Sequence, residues 1–195
     1  MSRGERHVTI FMVRPTFARL PDVPVPPPFA LRRWLPGDEA AWARIHEESD
    51  RHNEITPDLY RAQFGGDEEE LAARQLFLCD AQGGAIGTAT AWHNAHCPTG
   101  NYGRVHWIAI VPSYQGRGLG KALLSACVGR IRELGYDGAY LTTDPPRIPA
   151  INLYLRLGFA PDVRSEPELE AWRVLLDKVK GEFRGTVNEA IERFG

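Results

Sequence analysis

At 195 residues the chain is long enough for one domain with a substantial core, or one domain with an appendage. Its 23 basic and 25 acidic side chains nearly cancel, which excludes the strongly basic field of a nucleic-acid binder. The cysteines, Cys79, Cys97 and Cys127, are odd in number and lack CxxC spacing, so no disulfide framework is indicated and a reducing, cytoplasmic setting is expected.

The apolar run Val8 to Val13 is too short for a secretory core or a membrane span, and reads as a brief strand ended by Arg14-Pro15. Five prolines in the eight residues Pro21 to Pro28 predict an extended polyproline strap. We therefore expect residues 1–28 to be an N-terminal strand and strap, with the domain proper starting at Phe29. A strand over 29–34 leads through Pro36-Gly37 to Asp38, a good N-cap, and a helix to Ser49 with Trp42, Ile45 and Ser49 on one stripe. Thr56-Pro57 opens a second, short helix ending at Gly65-Gly66. A hairpin follows: strand 75–80, turn 81–84, return strand 85–92. One face of the return strand carries only Gly87, Ala89 and Ala91, which lets a helix or ligand approach the sheet closely. After a polar loop over 94–103, Val105 to Val111 is an apolar, β-branched strand. Period two puts His106, Ile108 and Ile110 on one face and Trp107 and Ala109 on the other.

Pro112 stops that strand, and glycines 116, 118 and 120 turn the chain straight into a helix over 118–134, capped by Gly135. A glycine turn feeding a bare helix start is a phosphate cradle: the first N–H groups lack intrahelical partners and carry the positive end of the dipole. Arg117 and Lys121 add positive side chains. A Walker loop requires glycine at Gln115 and Ser or Thr at Ala122, and a dinucleotide fingerprint spaces its glycines G-x-G-x-x-G; neither fits. Strand 139–143 completes a right-handed βαβ unit. A helix over 150–157, Gly158 and a strand from Phe159 follow. Ser165-x-x-Glu168 and Thr186-x-x-Glu189 read as capping boxes for two amphipathic C-terminal helices, with Leu169, Trp172, Leu176, Val179 and Phe183 as the first stripe.

Gln-x-x-Gly-x-Gly (Gln115, Gly118, Gly120) after a hydrophobic strand resembles the acyl-CoA pyrophosphate loop of the GNAT superfamily of N-acyltransferases. Residues 147–159, with Ala150, Tyr154, Gly158 and Phe159, are similar to that family's second motif, and the element order over 29–163 matches its fold. The resemblance implies an α/β fold with a mixed central β-sheet flanked by helices, an acetyltransferase domain over 29–163 and a helical appendage over 164–195. It further implies acetyl-CoA as co-substrate and transfer of its acetyl group to a primary amine by direct attack in a ternary complex. The acceptor is then a small-molecule or peptide amine, with no nucleic acid and no membrane involved. By match, Gln115, Gly116, Arg117, Gly118, Leu119, Gly120 and Lys121 hold the pyrophosphate. Backbone groups near Ile110 and Val111 hold the pantetheine, where the family's fourth and fifth strands splay apart, and one N–H there polarises the thioester. Arg147 replaces an asparagine common in the family, so the polar contact shifts to Asn152, or Arg147 meets a phosphate.

Tyr154 occupies the place of the family's tyrosine facing the sulfur, with a phenol of reference pKa ~10 against ~8.5 for a thiol. A packing tyrosine is the other reading of that position. For the base, His106 has a reference pKa of ~6.5 and resembles a histidine used by arylalkylamine-type members; the alternatives are a core histidine and a water chain. Glu47, Glu48, Asp50 and Glu54 with His46 and His52 form an acidic cluster where the acceptor enters, beside the 94–103 loop: either a site favouring a cationic amine or a solvated face. His93, His96 and Cys97 lack a fourth ligand, so no metal is expected. The C-terminal helices either dock on their own domain or form a homodimer contact. A non-catalytic acyl-CoA-binding sensor or scaffold is the competing function, and a partner-binding protein built on those helices the third.

Overall fold

The computed structural model describes residues 8–50, 53–56, 58–93, 97 and 100–194. Seven strands form one mixed sheet: β1 (Ile10–Arg14), β2 (Ala30–Arg33), β3 (Gln75–Cys79), β4 (Ala85–Trp92), β5 (Tyr102–Ile110), β6 (Gly138–Thr143) and β7 (Ala160–Pro161). Their order is β2-β3-β4-β5-β6-β1-β7, antiparallel throughout except for the β5–β6 pair. The helices are α1 (Asp38–Ser49), α2 (Leu59–Phe64), α3 (Glu68–Arg74), α4 (Leu119–Glu133), α5 (Ile148–Arg156), α6 (Glu166–Leu176) and α7 (Arg184–Phe194).

The small face of β4 is where α4 lies. A Cβ on Gly87 would come 2.9 Å from Ile110 Cγ1 and 3.0 Å from the Ala109 carbonyl, so the close approach of β5 requires glycine there, while Leu123 Cδ2 of α4 would meet it at an ordinary 3.5 Å. The other face carries Trp92, and there α2 packs through Phe64, 5.3 Å from Trp92 between ring centroids. From α1, Trp42 stacks edge-on against Trp107 at 5.1 Å. The site-bearing strands are thus clamped from both sides by aromatic and aliphatic burial, the main favourable contribution to folding.

Three expectations change. β1 is an inner strand, paired from Ile10↔Thr143 to Arg14↔Ala139 and flanked by β7, so the sheet takes in residues ahead of Phe29. Ile10 and Met12 are fully buried in it, and Arg14, at its end, spends its guanidinium on the carbonyls of Leu157 and Ala18. At α1 the cap is Gly37, in the left-handed region at φ 94°. Asp38 is instead the first helical residue, its carboxylate accepting from Arg32 at 2.6 and 2.7 Å and from the Leu35 N–H at 2.7 Å. Finally, α3 had not been expected, although Asp67 caps it by accepting from the Glu70 N–H and acids fill its first turn.

Past the strand, the strap lies along α4, where the Pro21 carbonyl accepts from the Ser125 hydroxyl. The C-terminal helices dock on their own chain: Trp172 and Val187 are fully buried, and α7 lies against β7. Ser165 reaches the Glu168 carboxylate at 3.1 Å, whereas Thr186 falls inside α7 and caps nothing. Among the described residues no helix is long and apolar enough to cross a membrane.

Candidate active site

β5 and β6 run together only at Tyr102↔Gly138, Gly103↔Ala139 and Arg104↔Tyr140. Beyond Arg104 they part, while β5 stays paired to β4 as far as Ile110. Two parallel strands held at one end and separated at the other leave edge peptide groups facing a gap, which an extended ligand can enter as a further strand. Val111 donates its N–H to Ile86 O at 2.9 Å, so the alternation of the antiparallel ladder turns the peptide groups of Ile110 into that gap. The Ile110 carbonyl there accepts from Gln115 Nε2 at 2.7 Å, leaving the Ile110 N–H as the donor.

The open end of the gap meets the glycine turn. Gly116 and Gly118 have φ of 77° and 79°, and a Cβ at either would meet nothing within 4 Å. Glycine is therefore required here by backbone conformation and not by crowding. The turn is fixed from within: Gln115 donates its N–H to Pro112 O and its side chain to Ile110 O, and Arg117 stacks on Tyr114 and donates to Ser113 O. The N–H groups of residues 116–120 find no acceptor among the described residues, and α4 has no side-chain cap. Clustered free donors at the start of a long helix suit a diphosphate.

The gap widens into a cleft of about 710 Å³. On its walls β5 is irregular: the pairing slips between Thr88 and Thr90, and Trp107 stands at φ 49° in a β-bulge. The bulge breaks the expected alternation, and His106 and Trp107 both reach Gln63 Oε1 of α2, each at 2.9 Å. Indole nitrogen only donates, so that oxygen is an acceptor and His106 Nε2 carries the proton; the lone pair of the neutral ring then sits on Nδ1. Tyr154, from α5, lines the same cleft, and burial pushes its phenol up to about 12.

Of the residues assigned to cofactor binding, Gly116, Arg117, Gly118 and Gly120 have amides without an acceptor among the described residues, as does Leu119, which is itself buried, and Ile110 offers its N–H. The other assigned residues have backbone or side-chain partners within the protein, although the Lys121 ammonium has none among the described residues. Val111 is buried with both peptide groups bonded, and Lys121 gives its N–H to Gly118 O. Gln115 lines the cleft as the brace of the turn. Asn152 lies outside the cleft lining, donating to Ile148 O and accepting from the Lys180 N–H at 2.8 Å. Arg147 lines the cleft but binds Asp50 at 3.0 Å and Asp144 at 3.3 Å, tying the end of α1 to the start of α5.

The acidic cluster divides in the same way: Asp50 is buried against Arg147, while Glu48 pairs on the surface with Arg44 at 2.9 Å. His52 lies outside the described residues, as do Pro57 and His96. The described part of the 94–103 loop does not line the cleft. Among the described residues no group of three His, Cys, Asp or Glu is placed to hold a metal.

Two further residues of the cleft stand out, His46, expected only as a member of the acidic cluster, and Arg104, which was not singled out. His46 is almost fully buried between Trp42 and Trp107, its Nε2 has no partner, and desolvation lowers its pKa to about 4. Arg104 carried no signal in the sequence at all.

A parallel strand pair split around a donor-lined gap, with open amides at its mouth, is an architecture suited to an extended anionic ligand. Residues 38–159 match the model of the acetyltransferase (GNAT) family, and the chain belongs to that family. The mycothiol acetyltransferase of Pseudarthrobacter chlorophenolicus is 35% identical over 149 residues, covering 73% of this chain and 46% of the relative. That of Arthrobacter sp. is 32% identical over 156 residues, covering 73% and 46%. The chain thus spans about half the length of these curated relatives. A GCN5-related N-acetyltransferase from Sphaerobacter thermophilus shares the fold at a TM-score of 0.67 with 23% identity, over 80% of this chain and 50% of that one.

Proposed function

We propose that the chain transfers an acetyl group from acetyl-CoA to a primary amine by direct attack in a ternary complex. The observation that carries this is the split of β5 from β6 at Arg104, with open amides at its mouth and both His106 and Tyr154 on the walls of the one cleft. The diphosphate binds the amides of 116–120, and the pantetheine runs down the gap beside β5. The Ile110 N–H is the donor available to the thioester carbonyl as negative charge develops on it. The amine loses its proton to His106, attacks the carbonyl carbon and expels the thiolate.

Tyr154 donates a hydrogen bond to that thiolate. A phenol raised to about 12 stays protonated throughout the working pH range, and a thiolate in the same desolvated cleft is made more basic as well, which narrows the mismatch. Relatives named for mycothiol favour a small-molecule amine over a peptide as acceptor. The three cysteines are buried and none forms a disulfide, in keeping with the reducing, cytoplasmic setting we propose.

The test is thiol release from acetyl-CoA across an amine panel, with wild type and His106→Ala. Amine-dependent release whose kcat/KM loses its ionisation near neutrality in the variant supports the assignment. Tight acetyl-CoA binding with no amine-dependent release supports the non-catalytic module instead.

A further inference from the structure

We infer that the closed end of the cleft binds a carboxylate carried by the amine acceptor, with Arg104 as its anchor; the inference rests on the acetyltransferase reading above. Arg104 is the last β5 residue paired to β6, so it stands where the two strands begin to part. It lies two residues before His106 and ahead of the bulge, on the face of the sheet that α1 and α2 cover. Its guanidinium lines the cleft, with one Nη donating to Thr142 Oγ1 at 3.0 Å. Its Nε is buried without a partner, and no carboxylate of the described residues pairs with it. The acids that line the cleft, Asp50 and Asp144, are both held by Arg147.

A guanidinium cannot shed its charge in a protein, and a half-buried one with no counter-ion among the described residues keeps unmet hydrogen-bonding capacity. Its planar fork matches a carboxylate in a two-bond geometry, and the Thr142 hydroxyl, accepting from Arg104, keeps its own proton to donate to the same anion. The acceptor would then lie along β5, carboxylate at the closed end and amine toward His106 and the bulge. That geometry selects small amino-carboxylates, such as an amino acid or an amine bearing an acid group a few bonds away. It disfavours polycationic amines, which would place positive charge against Arg104.

The experiment compares matched acceptors, each amino acid against its own carboxamide, in wild type, Arg104→Met and Arg104→Lys. Wild type should prefer the acids by about tenfold or more in kcat/KM, expressed in KM, as expected for one charge-assisted hydrogen-bond pair. The preference should vanish in Arg104→Met and return in part in Arg104→Lys, with unchanged KM for acetyl-CoA in both. A binding arm independent of turnover adds N-acetyl amino acids or N-acetyl amino amides to the CoA-bound protein and reads the shift in Tm. Only the acids should raise it, and only with Arg104 or Lys at this position. Equal use of acids and amides by wild type, a preference that survives Arg104→Met, or no carboxylate-dependent Tm shift with CoA bound overturns the inference and leaves the acetyltransferase reading standing. Absence of any Tm shift with CoA itself overturns that reading first.

Discussion

The two ends of the cleft are built from different materials. At the mouth, a contiguous turn presents backbone amides, and side chains serve only to hold it: Gln115 braces Ile110, and Arg117 stacks on Tyr114. At the closed end, side chains from α1, α2, β5, β6 and α5 do the work, and nearly every one is bonded to another, as Arg147 is to Asp50 and Asp144 and Gln63 is to His106 and Trp107. In the proposed reading, a backbone cradle meets what all acyl-CoA molecules share and tolerates side-chain change. A side-chain network recognises one acceptor class and responds to single substitutions.

Tyr154→Phe should break the chemistry most, lowering kcat by about 10²–10³-fold with acetyl-CoA affinity nearly intact, the range for a lost proton donor. Weakened acetyl-CoA binding with unchanged turnover, read by isothermal titration and steady-state kinetics, would contradict the donor role.

His46 makes the closed end sensitive to acid. Unfolded, its imidazole takes a proton near 6.5; folded, only near 4, because burial opposes the charge. Between those values the unfolded state holds more protons, so stability falls as pH drops through the window and is unaffected above it, by roughly 3 kcal/mol in all. Denaturant midpoints for wild type should decline from pH 6.5 to 4, and His46→Gln should flatten that decline; parallel curves would place the effect elsewhere.

Asp50→Asn takes the better-aligned carboxylate from Arg147, and should cost about 2 kcal/mol in urea unfolding, since the pair is largely buried but the guanidinium keeps some water. A cost within experimental error would mean that Asp144 alone suffices. Gly118→Val tests the mouth. Open space surrounds that position, so the fold should persist, but a β-branched residue at φ 79° is strained by about 1–2 kcal/mol and should weaken acetyl-CoA binding by roughly tenfold. Unchanged affinity would mean that the turn's shape does not matter.

The same contrast explains what could be read from the chain. The turn was legible because its requirements are local: glycines with positive φ, a strand before and a helix after. The hairpin over 75–92 and helix α1 were legible through period and turn residues, and Tyr154 and His106 do share one cleft. The bulge was not, because Val105 to Val111 alternates well enough to pass for a regular strand and nothing marks Trp107 as a residue with positive φ. Once the bulge is in place, His106 and Trp107 meet one glutamine 43 and 44 residues away, a tertiary contact with no local trace. Arg147 and Asn152 are assigned to the cofactor by the match of their neighbours, and nothing local shows that Arg147 pairs with Asp50, 97 residues away, or that Asn152 accepts from the Lys180 N–H. β1 is the clearest case: its short apolar run carries no sign that its partners lie beyond residue 138.

The central claim is that a diphosphate rests on the amides of residues 116–120. The most direct measurement is an amide-resolved NMR titration of the ¹⁵N-labelled protein with CoA. The account predicts that the Gly116, Gly118 and Gly120 resonances move most, together with Ile110 inside the gap. Saturable CoA binding that leaves those four resonances in place while others shift would contradict it.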